Sequence, residues 1–389
     1  MSDARVTLPG HELPAPATAQ ALVAAGYASR RDLASSSPAK PHDITPADAE
    51  PENRRHAFGL AAVLRALRPI VSRGGVVATG TEPPLERQQP LGDLPSVSAC
   101  EPLERPGERA MDLHTTPGVS AFLDGIQRSQ LLGHVLGSPL VLGTVAAVVR
   151  VRADRRLETW RAPTMVRAIF AARAQLGDDL WQELEALSLP LVDITERLTP
   201  DVVSPHPMAM RARALDVIAA ERETAERRLA AAWCASEARW LWIDGGIAGN
   251  LAIDERAPAF GVVKSHNTLY GDSAAVRDIL ALKLGQRSPA FLAGHRPRRA
   301  VASWYLRIHD ADADPLHGLV RVEVAPPAQP QNATKRDSAL ASTFSAHADQ
   351  LSAWILAERA PLSLPDKRWD TLTYGVYACE QYLKSIVGS

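Results

Sequence analysis

Apolar residues fall in short runs from residue 119 onward, and two of these runs end in the same way. The first reads Ala-Phe-Leu-Asp-Gly over residues 121–125, and the second reads Trp-Leu-Trp-Ile-Asp-Gly-Gly over residues 240–246. Each run has the length of a buried strand, and a carboxylate at the end of such a strand is costly unless it is paired. Two such ends lying side by side would place Asp124 and Asp244 at one sheet edge, where a divalent cation could hold them. The alternative is that each Asp-Gly pair simply begins a turn.

The spacing of apolar residues also predicts the other elements. An almost wholly apolar run predicts a strand over 140–151, joined to a strand over 119–124 by a turn at 133–139. Further strands are predicted over 76–78, 240–244, 261–264, 300–308 and 319–324, the last two forming a hairpin. Helices are predicted over 56–69 (ended by Pro69), 165–176, 178–187, 208–237, 274–283, 339–360 and 369–386. This order predicts an α/β fold with a mixed sheet whose faces are covered by helices.

Composition divides the chain into three parts. Residues 1–55 are rich in Pro, Ala and Ser and have weak periodicity, which predicts a flexible or extended N-terminal arm. Residues 56–110 are predicted to form a helix followed by a loop region that begins near residue 82. Residues 111–389 hold the long apolar runs, so the main domain and its chemistry are expected there.

Charge and cysteine content exclude several classes of protein. The net charge of the 389 residues is −1, so any contact with DNA must come from a local basic surface. The 3 cysteines lie far apart without CxxC spacing, which argues against disulfides and zinc and favours a reducing cytoplasm. The N-terminus lacks a secretory pattern, and no uncharged apolar run approaches about 18 residues, so no membrane span is expected. No GxxxxGK[ST] loop is present, so the chain is not expected to be an ATP-driven motor.

A third carboxylate would strengthen a cation site, because Mg²⁺ and Mn²⁺ prefer oxygen ligands. The long predicted helix offers Glu221, Glu223 and Glu226. At 100° per residue, Glu221 lies nearest the centre of the apolar face. Glu221 is therefore the predicted inward-pointing ligand. The alternative is that all three are solvated and that Glu223 pairs with Arg227.

Two further residues are candidates for the same site. Lys264 ends the strand that follows the second Asp-Gly run, and a lysine there could hold a phosphate or simply be exposed. Glu380 lies on the last predicted helix and is a candidate metal ligand. Arg321 and Glu323 share one face of their strand and could pair with a neighbour.

Candidate DNA contacts precede and occupy the strand 300–308. Arg296, Arg298 and Arg299 form a basic run suited to phosphate contact, although such runs are usually solvated loops. Trp304 and Arg307 place an aromatic ring near a basic side chain, an arrangement suited to stacking on a nucleobase. The alternative for Trp304 is burial in the core.

The order of these motifs resembles that of the NurA nuclease family. The matching segments are Asp124-Gly125, the helix 208–237, Asp244-Gly245-Gly246, and residues 261–265, 304–307 and 321–323. The resemblance covers residues 111–389. It implies an RNase H-like fold and a Mn²⁺-dependent (or Mg²⁺-dependent) site that cuts DNA. It also implies a homodimer that works with HerA, a hexameric DNA-translocating ATPase.

The resemblance carries roles to individual residues. Asp124 and Asp244 match the two family aspartates, and the helical glutamate maps to Glu221 or, less well, to Glu223. In the implied mechanism two cations activate water for attack on the phosphodiester, and Lys264 neutralises the developing charge. The late histidine of the family has no match, so Glu380 replaces it or that ligand is absent.

Two functions follow from this comparison. The first is a metal-dependent DNA exonuclease or endonuclease acting with a HerA-type translocase in DNA end processing, repair or anti-phage defence. The second is an inactive scaffold subunit that docks on an ATPase ring and guides DNA. The missing histidine leaves room for the second function.

Overall fold

A computed structural model gives the fold of most of the chain. It describes residues 60–71, 75–78, 84–85, 95–113, 116–154, 156–187, 189–196, 206–294, 300–312, 314–327, 338–359 and 374–387. The N-terminal arm predicted for residues 1–55 lies outside the described residues. The basic run at Arg296, Arg298 and Arg299 also lies outside them.

The described residues form 6 helices and 16 strands. The helices are α1 (Leu60–Val71), α2 (Arg173–Glu185), α3 (Pro207–Ser236), α4 (Ser273–Ala281), α5 (Ser338–Ala357) and α6 (Tyr374–Val387). The first nine strands are β1 (Gly75–Val77), β2 (Ser96–Ser98), β3 (Glu101–Pro102), β4 (Arg109–Ala110), β5 (Ala121–Val135), β6 (Ser138–Ala153), β7 (Arg156–Thr159), β8 (Thr164–Ala171) and β9 (Leu191–Asp193). The others are β10 (Leu241–Asp244), β11 (Ala259–Val263), β12 (Thr268–Tyr270), β13 (Gln286–Arg287), β14 (Phe291–Ala293), β15 (Val301–Arg307) and β16 (Leu319–Val324).

A mixed sheet of 14 described strands forms the centre of the molecule. Its central order is β8-β6-β5-β10-β11-β16. Strand β6 runs antiparallel to β5 and β8, while β10 runs parallel to β5 and β11. Parallel strands need a crossover, and α3 lies in the connection between β8 and β10. The predicted α/β fold, a mixed sheet flanked by helices, is confirmed.

Alternation along the strands divides the core between the two sheet faces. Leu123 and Ile243 belong to the core that includes α3. Their neighbours Phe122 and Trp242 belong to the core formed with α5 and α6. A third core, under α1 and α2, covers the far ends of β5, β6 and β8. The sheet therefore has helices on both faces around β5 and β10.

The structure corrects three sequence expectations. The helix predicted over 165–176 is replaced by strand β8 followed by the start of α2, because a short apolar run does not distinguish a strand from a helix. Pro69 lies inside α1, which continues because Ile70 and Val71 are buried. Strands β5 and β6 are longer than predicted and turn at residues 136–137. None of the described helices combines the length and the apolar character needed to cross a bilayer.

Candidate functional site

Parallel pairing of β5 and β10 brings the two aspartates together. Leu241, Trp242 and Ile243 pair with residues 121–123, so the next position places Asp244 beside Asp124. The strands separate at this point. Strand β5 continues to Val135, whereas β10 ends at Asp244 and the backbone turns at Gly245, whose φ is 117°. The opening lets side chains from both faces of the sheet approach the two carboxylates.

Asp124 is buried in this opening, with only 8% of its surface exposed. The backbone N–H of Gly125 donates a hydrogen bond to its Oδ1 at 2.7 Å. Burial raises the pKa of Asp124 well above its usual value, the charges of Asp244 and Glu226 raise it further, and Lys264 opposes them. Asp124 is therefore held where its negative charge needs a nearby cation.

Lys264 supplies the positive charge nearest to Asp244. It follows β11, and its Nζ donates to the Oδ2 of Asp244 at 2.8 Å. Both side chains are 20% exposed, so the ion pair remains open to solvent on one side. The lysine that the sequence assigned to a phosphate contact therefore lies beside one of the two aspartates.

The acid that α3 directs toward the aspartates is Glu226. A Cβ added to Gly125 would collide with the Glu226 carboxylate, so this glycine leaves the space that the glutamate occupies. Burial, together with the charges of Asp244 and Glu223, raises the pKa of Glu226 to about 7 against the opposing charge of Arg222. Arg222 forms an ion pair with Glu226 and donates to Gln127 on β5 at 3.3 Å.

The structure therefore brings Glu226 to the aspartates, rather than Glu221, which the helical wheel favoured. The centre of the apolar face of α3 packs mainly on β6. The opening between β5 and β10 lies beside one flank of the helix, which carries Arg222 and Glu226. Glu221 is half-buried and is not among the main groups that shift the pKa of Asp124 or Glu226.

A cleft of about 430 Å³ opens beside this cluster, and Asp244 and Glu226 line it whereas Asp124 and Lys264 do not. Its charged lining consists of Arg222, Glu223, Glu226, Arg227, Asp244, Arg321 and Glu323. Glu323 accepts a hydrogen bond from the backbone of Ile247 at 2.8 Å and pairs with Arg321 at 2.6 Å. The sequence placed Arg321 and Glu323 on one strand face but did not assign them to the site. Their place in the cleft depends on the β11–β16 pairing, which sequence spacing did not reveal.

Two predicted DNA contacts lie in the core instead. Trp304 is fully buried and donates from Nε1 to the Ser352 hydroxyl at 2.9 Å. Arg307 is also fully buried and donates to the backbone carbonyls of Leu282 and Leu280 at 3.0 and 2.9 Å. Strand β15 lies inside the sheet and is buried at every position, so neither side chain can contact DNA.

Glu380 is directed toward its own helix. It pairs with Lys384 one turn later at 2.6 Å. The thiol of Cys379 donates to the backbone carbonyl of Phe122 on β5 at 3.4 Å, and burial and the charges of Asp124 and Asp244 raise its pKa. The structure therefore does not bring Glu380 into the acid cluster.

The donor set has the chemistry of a hard-cation site. In the described part of the chain, no three His, Cys, Asp or Glu side chains are arranged to hold a metal ion together as they stand. Asp244 is engaged by Lys264, and the carboxylates of Asp124 and Glu226 have raised pKa values. Mg²⁺ and Mn²⁺ prefer carboxylate oxygens as ligands. A bound cation would also offset the repulsion between neighbouring carboxylates. The residue types thus fit such a cation.

Comparison with solved structures identifies a similar chain. The crystal structure of the NurA nuclease from Sulfolobus solfataricus matches 72% of this chain and 86% of its own, with 12% identity and a TM-score of 0.34. Values this low give no basis for transferring an activity or a residue role. The sequence matches no protein family model and no curated protein.

Proposed function

We propose that this chain is a metal-dependent nuclease that hydrolyses phosphodiester bonds in DNA. The observation that carries the proposal is the meeting of Asp124, Asp244 and Glu226 beside Lys264, next to an open cleft that Asp244 and Glu226 line. Burial raises the pKa values of Asp124 and Glu226, so keeping these acids together is costly to the fold, which favours a functional reason for the cluster. The basic side chains of the same cleft suit a phosphate.

Asp124, Asp244 and Glu226 would hold Mn²⁺ or Mg²⁺. When bound, such cations supply a more acidic water and stabilise the charge that develops on the phosphodiester. Binding requires Asp124 and Glu226 to give up their protons. Lys264 can then turn its ammonium group from Asp244 toward a phosphate oxygen, and Arg321 offers a second donor at the cleft wall.

A cleavage assay on labelled single- and double-stranded DNA with Mn²⁺ tests the proposal. We expect D124N and D244N to abolish cleavage and E226Q to reduce it strongly, with folding retained. E221Q makes the same chemical change on the same helix outside the cluster, so it should cut like the wild type. Cleavage by D124N at the wild-type rate would contradict the proposal. A folded wild-type protein that never cuts DNA would instead favour the scaffold function, which is consistent with the engagement of Asp244 by Lys264.

We also propose that the chain acts as a homodimer with a HerA-type hexameric ATPase, in DNA end processing or defence in the cytoplasm. The net charge of −1 supports delivery of the DNA by a partner, because it gives no overall attraction to a polyanion. Cleavage at physiological salt should therefore increase when the ATPase is added. Equal rates with and without it would contradict this dependence.

A further inference from the structure

Among the described residues, no helix covers a strip of the sheet face that carries Asp124. Alternate residues of β5 share a face, so Phe122, Asp124, Ile126 and Arg128 follow one another along it. Helix α6 covers the beginning of this series, where Gly375 packs on the ring of Phe122, and Ile126 packs against the same core. The core under α1 and α2 begins again at Leu132. The position of Arg128 lies between these two covered regions, and its side chain is exposed.

Two arginines lie in one row across this strip. Arg128 on β5 pairs with Thr144 on β6, and Thr144 pairs with Arg167 on β8. The three side chains therefore share one face. At the usual strand spacing of about 4.8 Å, the Cα atoms of Arg128 and Arg167 are roughly 10 Å apart. Two long guanidinium side chains on either side of a threonine can approach one ligand.

The charges in this row have no partner of opposite sign within the described residues. Neither Arg128 nor Arg167 forms an ion pair there. The Nε of Arg167 is buried without a hydrogen-bond partner. Burial lowers the pKa of Arg167, and the neighbouring charge of Arg128 lowers it further. A buried donor and two facing cations are satisfied together by an anion that accepts several hydrogen bonds.

We propose that Arg128, Thr144 and Arg167 form a phosphate-binding site for the backbone of a DNA strand that reaches Asp124 along the sheet face opposite α3. This inference rests on the proposed nuclease function. Asp124 and Arg128 are four residues apart on one strand, which corresponds to about 13 Å. That distance equals about four nucleotides at the 3.4 Å rise of a stacked strand. Arginine is suited to this role because its planar fork binds phosphate through two donors.

Fluorescence anisotropy of a short labelled DNA strand in EDTA tests the site without cleavage. The variants are R128Q/R167Q, the charge-retaining R128K/R167K, and R277Q as a control that removes an exposed arginine from α4. Binding is measured between about 50 and 200 mM salt, and thermal unfolding is followed for each variant. We expect R128Q/R167Q to bind more weakly, with a salt slope smaller by about 1 to 2 because two phosphate contacts are lost. The lysine variant should keep most of the slope, and R277Q should match the wild type.

The other outcomes of this experiment separate the phosphate site from the nuclease function. Wild-type affinity and slope in a folded R128Q/R167Q protein would overturn the site, as would a wild-type protein that binds no DNA strand. An equal loss in R277Q would also overturn it, because the effect would then reflect total charge only. Arginine-dependent binding by a wild-type protein that never cuts DNA would support the site and contradict the nuclease function instead.

Discussion

Replacing Glu226 with glutamine should make the protein more stable at alkaline pH. The pKa of Glu226 rises from 4.5 to about 7 in the folded protein, chiefly because the side chain is buried. The folded state therefore binds a proton more tightly than the unfolded chain does. Stability from this group is fully present below pH 4.5 and is lost as the pH rises through about 7. A difference of about 2.5 pKa units corresponds to about 3 kcal/mol.

The E226Q variant removes this loss while it keeps the size of the side chain and an acceptor for Arg222. We expect the difference in unfolding free energy between E226Q and the wild type to change by about 3 kcal/mol, in favour of the variant, between about pH 4.5 and pH 8.5. Urea denaturation at several pH values without divalent cations measures it. Adding Mn²⁺ at the alkaline pH should stabilise the wild type more than the variant.

E221Q is the matched control, because it neutralises an acid on the same helix outside the cluster. It should show no comparable change with pH. A pH-independent difference for E226Q, or the same pH dependence in both variants, would refute the assignment of Glu226 to the acid cluster.

Two other substitutions test particular contacts. G125A should displace the Glu226 carboxylate, because a Cβ at this position would touch it. The cleavage rate should fall about 100-fold, while the unfolding free energy should change little. A wild-type rate would contradict the proposed position of Glu226. R287M should destabilise the protein by about 3–5 kcal/mol in urea denaturation, because it leaves the buried Glu104 without its nearest charge partner, the Arg287 guanidinium at 2.7 Å. Substantial recovery is expected in E104Q/R287M, and an unchanged stability of R287M would show that the pair is not buried as described.

The sequence predicted those parts of the site that depend on local pattern. An apolar strand that ends in Asp-Gly is visible in one stretch of chain, so Asp124 and Asp244 could be selected, and the parallel register of β5 and β10 places them side by side. Lys264 could be selected for the same reason, although its partner could not. Alternating or helical spacing also indicated the mixed sheet, the long helix α3 and the hairpin of β15 and β16.

The remaining features depend on which surface each element meets. The helical wheel identifies the apolar face of α3 but does not show that the acid cluster lies beside its flank, so Glu221 was preferred to Glu226. Trp304 and Arg307 resembled a nucleic-acid surface because the sequence does not show that β15 is an inner strand. The row of Arg128 and Arg167 joins residues 39 positions apart through two strand pairings, and no local pattern marks it.

A calorimetric titration of the metal-free protein with Mn²⁺ tests the cation site most directly. Near pH 6.5, in buffers of different ionisation enthalpy, we expect Mn²⁺ binding to release protons from Asp124 and Glu226, because both carboxyls have raised pKa values. We expect D124N and D244N to lose this binding and E221Q to keep it. Absence of Mn²⁺ binding by the folded wild type, or unchanged binding in D244N, would contradict the assignment of these acids to a cation site.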